Sequence, residues 1–275
     1  MTDTDIVYVY AVLRRTPEAA EAVADLRGVA GEPIRLVESA DGTQELAAAI
    51  GPVPAADFEE APLKAGLEDL DWLESAARAH HAVVAALVGC GAAVLPLRLA
   101  TVYRDEDRVR QALDERGDDF LSLLDRLTGH VELGLKIYAA PDTAPPDPDL
   151  DPDPDTEPAP ASGLGAGRAY LAVRRRRWRT AEDARQAATE AATRLTETAA
   201  ALAVDRVAHR PQRGDLAGSA SGTNVSNDAY LVHADHVDQF RTGVRRAAER
   251  LPGVHVEVTG PWAPYSFALQ PEPVP

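Results

Sequence analysis

Between Pro141 and Pro160 the chain carries eight prolines and seven acidic residues, including the run Asp147-Pro-Asp-Leu-Asp-Pro-Asp-Pro-Asp155. Proline fixes φ and removes backbone donors, and like charges repel along the run, so the stretch suits neither helix nor sheet. It reads as an extended, solvated linker with no core of its own. Its acidic residues lack the rigidity that a defined cation site needs. The linker divides the 275 residues into an N-terminal domain over 1–140, the acidic segment over 141–162 and a C-terminal domain over 163–275. Each flanking part is long enough to bury a hydrophobic core.

In the first part, Ile6 to Leu13 is a continuous apolar run, the pattern of a buried central strand. Weaker strands are expected at Ile34–Val37 and Leu46–Ile50. Leu70, Leu73, Ala77, His80, Val84 and Leu87 recur at helical spacing, with Glu68, Asp71, Glu74, Arg78 and His81 mainly on the opposite side. Asp71 with Glu74 resembles a capping box, and Gly89 with Gly91 supplies a stop. Val94–Leu99 reads as a strand that Pro96 confines to an edge or bulge. Asp105 is a cap for a helix to Arg116, and Gly117 separates it from a second helix ending near Thr128. Val131, Leu133, Leu135 and Ile137 alternate with Glu132, Gly134, Lys136 and Tyr138, a half-buried strand.

After the linker, glycines at 163, 165 and 167 loosen the chain, and Ala169–Val173 suits a strand. A long helix is expected from Thr180 to about Ala203, with a seam of Ala188, Ala191, Leu195, Thr198 and Leu202. Short strands follow at Val204–His209 and Ala229–His233, and Gly214–Asp228 reads as a loop. Asp235 is a candidate cap for a helix to Leu251. Val254, Val256 and Val258 alternate into a last strand, expected to leave its sheet just before Gly260. Both halves run close to the βαββαβ order. The expected fold is α+β in two domains: an N-terminal modified ferredoxin-like antiparallel sheet with helices, and a C-terminal helix-rich domain with a few strands and a long helix.

The formal charge of −16 repels phosphate backbones and anionic lipid, which argues against nucleic-acid and membrane partners. No apolar run approaches the ~18 residues of a membrane span, and the polar start from Met1 to Asp5 does not read as a secretory signal. One cysteine, Cys90, permits no intrachain disulfide and suits a reducing cytosol. The chemistry-bearing motifs are missing: no phosphate loop, no nucleophile elbow, and a Gly163-x-Gly165-x-Gly167 spacing unlike the dinucleotide fingerprint. Cys90 reads as an incidental thiol, since no base is spaced to activate it. His233-x-x-His236 with Asp235 and Asp238 has metal-ligand residue types but reads better as an acidic helix start. His80, on the apolar helix face, is expected to be a hydrogen-bonded core histidine. The sequence therefore mostly fails to supply a catalytic or metal site.

Two segments concentrate binding chemistry. Arg174–Arg177 with Trp178 and Arg179 is the most basic point of the chain, read as a solvated face, with an acidic protein or nucleic acid as the alternatives. Gly260-Pro-Trp-Ala-Pro-Tyr-Ser-Phe267 concentrates Trp262, Tyr265 and Phe267 among prolines. Exposed aromatics waste large apolar area, so this segment is expected to pack on the N-terminal domain, the alternative being a partner-binding peptide. Trp72, beside the Leu70/Leu73 face, is either core or interface anchor. Arg98 is expected to pair with an acid and tie strand to helix.

Seven segments in order resemble the gas vesicle protein L/F family (GvpF and GvpL): Tyr8-Val-Tyr-Ala-Val12; Asp69-Leu-Asp-Trp-Leu73 through Ala79-His80 to Val84; Val94-Leu-Pro-Leu-Arg98 with Thr101-Val-Tyr103; Val131-Glu-Leu-Gly-Leu-Lys136; Gly167-Arg-Ala-Tyr-Leu171; Asn227-Asp-Ala-Tyr-Leu-Val232; and Val256-Glu-Val-Thr-Gly-Pro-Trp262 with Pro264-Tyr-Ser-Phe267. Ala11 and Ala100 stand where glycine is common, suggesting that positive φ is not needed there. Ala263 stands where proline is common.

The resemblance implies a role in building gas vesicles, with no enzymatic activity and no cofactor. It implies an assembly factor or minor vesicle component, located in the cytoplasm and at the vesicle. Its partners would be the major gas vesicle shell protein and other gas vesicle accessory proteins. A shell subunit facing gas exposes an apolar surface that aggregates before assembly, and an acidic, soluble partner would hold it in solution. Trp72, Arg98, Trp262, Tyr265 and Phe267 are the candidate partner-binding or domain-docking residues. The competing reading is a small-molecule-binding or enzymatic α+β protein on a ferredoxin-like scaffold, which needs convergent polar groups such as Arg98, Thr101, Tyr103 and His80.

Overall fold

The apolar run at the start forms β1 (Asp5–Arg14) in the computed structural model, which describes residues 5–40, 45–139, 186–211, 223–251 and 253–268. The acidic proline-rich stretch, the 163–167 glycines, the strand expected at 169–173, the Arg174–Arg179 run and most of the 214–228 loop lie outside the described residues. The chain forms two compact units, one of Met1–Glu132, Leu231–Ala234 and Gly260–Pro275, the other of Leu133–Tyr230 and Asp235–Thr259.

In the first unit β1 is central. β3 (Leu46–Pro54) pairs with it antiparallel, from Asp5↔Pro54 to Arg14↔Leu46, and β2 (Arg35–Glu38) pairs with the far side of β3. On the other side, β4 (Val94–Pro96) pairs with Ala11–Leu13 and β5 (Val102–Tyr103) with Val7 and Tyr8. The order β2-β3-β1-β4, antiparallel throughout, is the ferredoxin-like arrangement. Pro96 is tolerated because β4 lies at the end of that order, where a missing N–H breaks no central ladder.

The register of β1 against β3 slips between Val9 and Ala11. This bulge places Tyr10 and Ala11 toward the same side, so Tyr8, Tyr10, Ala11 and Leu13 share one core cluster while Val9 and Val12 face a cleft on the other side. Helices cover both faces, which is why the whole run is apolar. α1 (Pro17–Ala24) and α3 (Leu70–Gly89) pack on the tyrosine face through Ala19, Val23, Val83, Val84 and Leu87. α4 (Glu106–Glu115) and α5 (Gly117–Leu127) pack on the other through Val109, Leu113, Phe120 and Leu123. These last two helices are what modifies the ferredoxin-like pattern.

Caps follow side-chain chemistry, with one correction. Thr16 Oγ1 accepts from Ala19 N–H at 3.1 Å, and Asp105 caps α4 by accepting from Arg108 N–H at 2.8 Å. The Asp71/Glu74 capping box does not form. Asp69 caps α3 instead, accepting from Asp71 and Trp72 N–H at 2.9 and 3.1 Å, because its extended backbone places it just outside the first turn. Glu74 accepts from Arg78 Nε at 2.9 Å one turn on. α2 (Glu60–Glu68) was not expected; Pro62 sits in its first turn, where the missing N–H costs no bond. Gly66 lets Trp72 lie directly on α2, since a Cβ there would stand 3.0 Å from the indole.

In the second unit β6 (His130–Ala139) buries Leu133, Leu135 and Ile137, as the alternation requires. Tyr138 departs from the pattern and is buried, its hydroxyl donating to Glu257 at 3.2 Å. The sheet order is β7 (Asp205–His209), β8 (Thr223–His233), β6, β9 (Val254–Trp262). β8 starts inside the stretch expected to be loop, where Asp228 is buried and paired with Arg206 at 2.9 Å. β9 continues through Gly260 and Pro261 instead of ending before them. The helix over 186–200, here α6, buries Ala188, Ala191, Ala192, Leu195, Thr196 and Ala199; Thr198 and Leu202 of the expected seam are only half-buried. α7 (Val237–Ala248) is preceded by a 3-10 turn at Ala234–His236, so Asp235 does not cap it. A Cβ on Gly243 would stand 2.6 Å from Leu202 Cδ1, so glycine permits that close approach.

Candidate partner-binding site

The segment between β4 and β5 is pinned to β1 at three points. Leu97 N–H donates to Tyr10 O at 2.9 Å, Val9 N–H to Thr101 O at 2.9 Å, and Ala100 N–H to the Tyr8 hydroxyl at 2.9 Å. Ala100 takes φ 64°, a left-handed conformation. That corrects the expectation drawn from alanine at this position. The three hydrogen bonds hold a strained residue that glycine would adopt freely. Thr101 Oγ1 closes the turn by donating to Arg98 O at 2.8 Å.

Tyr8 also reaches His80, whose Nδ1 lies 3.0 Å from its hydroxyl. The hydroxyl thus accepts from Ala100 and shares a second hydrogen bond with Nδ1, whereas His80 Nε2 is buried without a hydrogen bond among the described residues. Burial without an acidic neighbour disfavours the imidazolium and pushes the His80 pKa down to about 4; the Leu97 backbone opposes this and nearby His81 adds to it. Burial likewise raises Tyr10 to about 12, and its hydroxyl accepts from Val29 N–H at 2.9 Å. His80 is thus the hydrogen-bonded core histidine that its helix position implies.

On the opposite face of the sheet lies a cleft of ≈ 620 Å³. Its floor is apolar, built from Val9, Val12, Leu95, Leu113, Phe120 and Leu123. Arg98 stands on the β4–β5 segment and Arg116 at the α4–α5 junction, and both are exposed. Arg116 lies over the Phe120 ring, 4.7 Å from its centroid. The acidic partner expected for Arg98 is not found among the described residues. Thr101 and Tyr103 line the same cleft, whereas His80 belongs to the other face.

The remaining candidates gather around α3. Trp72 is half-buried against the core cluster, 6.4 Å from Phe58 between ring centroids. Tyr265 packs on the same cluster, its ring centroid 6.1 Å from that of His80, and Trp262 is 46% exposed, its ring centroid 5.6 Å from that of His81 in a T-shaped pair. Phe267 is buried, in a 3-10 turn whose Ser266 N–H and Oγ donate to Glu132 at 2.7 and 2.9 Å. The Tyr265 hydroxyl is buried without a hydrogen bond, and desolvation with Glu132 nearby raises its pKa. Arg98 stands apart from this group. Arg116 and Phe120 were not singled out in the sequence, where only the amphipathic pattern of their helices is visible.

Among the described residues no three His, Cys, Asp or Glu side chains converge as metal ligands, and no helix is long and apolar enough to cross a membrane. His233 faces His130 edge-on at 5.4 Å, and the Cys90 thiol donates to Leu87 O at 3.0 Å.

Comparison with known proteins covers nearly the whole chain. The profile described as gas vesicle synthesis protein GvpL/GvpF matches residues 6–269. Gas vesicle protein L of Streptomyces sp. (strain CB03234) is 45% identical over 274 residues, 98% of this chain and 94% of that protein. Gas vesicle protein F of the same organism is 29% identical over 262 residues, 94% of this chain and 98% of that protein. The crystal structure of GvpF from Anabaena sp. PCC7120 superposes with a TM-score of 0.63 at 17% identity, covering 98% of each chain. That of GvpF from Microcystis aeruginosa gives 0.59 at 15%, covering 96% of this chain and 99% of the other. On the length and order of this match, the chain belongs to the GvpL/GvpF family of gas vesicle proteins.

Proposed function

We propose that the protein is a non-enzymatic gas vesicle assembly factor or minor vesicle component that binds the apolar shell protein during vesicle formation. The observation that carries this reading is the family match over residues 6–269. The net charge of −16 supports it, because an acidic partner keeps an aggregation-prone subunit dispersed. The protein acts in the cytoplasm and at the growing vesicle, with the shell protein and other accessory proteins as its partners. The test is to dilute shell protein from denaturant into the purified protein. Reduced light scattering and a soluble complex are expected; unchanged aggregation with no complex refutes the proposal. Washing intact vesicles with denaturant and probing for the protein then separates a wall component, which stays, from an assembly factor, which does not.

A further inference from the structure

Charge is divided unevenly along the chain. Residues 1–140 hold 25 acids against 13 lysines and arginines, whereas residues 163–275 hold 12 acids against 15 arginines. The proline-rich stretch between them carries seven acids and no basic residue. In the second unit the basic excess is concentrated on α7 and the turn after it. Arg241, Arg245, Arg246 and Arg250 fall within ten residues that include one acid, Glu249. α4 differs, because its Arg108 and Arg110 lie among Asp105, Glu106, Asp107, Asp114 and Glu115. Between α7 and β9 runs a trough of ≈ 550 Å³, lined by Arg241, Arg245 and Glu249 and by the half-buried Val254, Val256 and Val258. β9 ends the sheet order, beside β6. Near the close of β6 the Tyr138 hydroxyl donates to Glu257, and its ring centroid lies 6.2 Å from that of His255, which also lines the trough. β6 ends at Ala139, so the chain enters the acidic stretch beside this trough.

We propose that the trough binds the chain's own acidic proline-rich stretch, residues 141–160, with carboxylates on the α7 arginines and prolines and Leu150 on the β9 valines. The charge and composition of this occupant are those of the sequence itself. A proline-rich chain rises about 3.1 Å per residue, so the aspartates at alternate positions from Asp147 to Asp155 recur about every 6 Å. Arginines four apart on a helix, such as Arg241 and Arg245 or Arg246 and Arg250, lie about 6 Å apart along its axis. The same rise from Ala139 to Asp147 gives a reach of about 25 Å, more than the ~18 Å length of α7. Carboxylate–guanidinium pairs are individually weak at a surface, and the tether lets several form together. An acidic segment of any other protein reaches this face only by displacing the tethered one. The proposal is independent of shell-protein binding.

The test titrates the full chain with a fluorescein-labelled synthetic peptide of residues 141–160, read by anisotropy at low salt. In one form of the protein residues 141–160 are replaced by a Gly/Ser stretch of equal length. This form is expected to bind the peptide. Wild type carries its own stretch at an effective concentration on the order of millimolar, and is expected to bind at least about tenfold more weakly. Combining Arg245→Gln, Arg246→Gln and Arg250→Gln in the replaced form is expected to weaken binding about tenfold or more. These three side chains are exposed, and circular dichroism checks that the variant is folded. Arg108→Gln with Arg110→Gln removes charge from α4 and is expected to stay within about twofold of the replaced form. Added salt weakens the binding. No binding by the replaced form, or equal binding by it and wild type, overturns the proposal. Loss on changing Arg174, Arg175, Arg176 and Arg177 to Gln, with none on changing the α7 arginines, also overturns it and assigns the acidic stretch to that run.

Discussion

His80 gives the stability of the first unit a dependence on pH that is calculable. Its pKa is about 4 in the folded protein, against 6.5 for an unperturbed histidine. The unfolded chain therefore binds its proton first as pH falls. The stability contribution is fully present above about pH 7 and is lost progressively as pH falls from about 6.5 toward 4. Between pH 7 and pH 5 the two pKa values imply a loss of about 2 kcal/mol. His80→Gln removes the titration while keeping a hydrogen-bonding side chain beside the Tyr8 hydroxyl. Urea unfolding followed by tryptophan fluorescence at both pH values gives the difference, and each variant serves as its own reference. The expected result is that wild type loses about 2 kcal/mol more than His80→Gln over this interval. Carboxylate titration acts on both alike. Parallel losses in the two proteins would refute the reasoning, because they would mean that His80 is protonated at little cost in the folded state.

Two further substitutions test the framework around the cleft. Ala100→Gly is expected to raise stability by about 0.5–1 kcal/mol, the relief of left-handed strain exceeding the added chain entropy; a lower urea midpoint would show that the alanine methyl packs usefully. Trp72→Ala is expected to cost about 2–3 kcal/mol, less than a fully buried tryptophan, because the ring is half-buried between Phe58 and Gly66. A neutral effect in the same unfolding assay would move Trp72 from packing to partner contact.

The elements legible in the sequence are those with one dominant period. α3 and β6 each bury one face, and β1 announces itself by being apolar on both. The bulge at Tyr10 is hidden for that same reason, since a run without alternation carries no record of a register slip. α2 is hidden because Pro62 and Gly66 argue against helix until their positions in the first turn and under Trp72 are known. Asp69 and Asp71 are indistinguishable as caps by residue type, and backbone conformation decides between them. Ala100 shows the limit of reading φ from composition: three hydrogen bonds to β1 override the preference of the side chain. Arg98, Thr101 and Tyr103 are visible together because one short segment carries them. Arg116, Phe120 and the floor valines come from other elements, and only the bulge and the α4–α5 packing bring them to the same cleft.

The first unit is discontinuous in the chain, and this bears on how the protein is made. Ala263 and Tyr265 pack in or on the same cluster as Tyr8, Tyr10 and Ala11, yet they follow every residue of the second unit in order of synthesis. A nascent chain that has emerged as far as α5 still lacks Tyr265, which packs against His80. Until those residues are made, this aromatic core has no cover from its C-terminal segment. Completing this core therefore takes closure across a long sequence separation, which is slow compared with local helix formation.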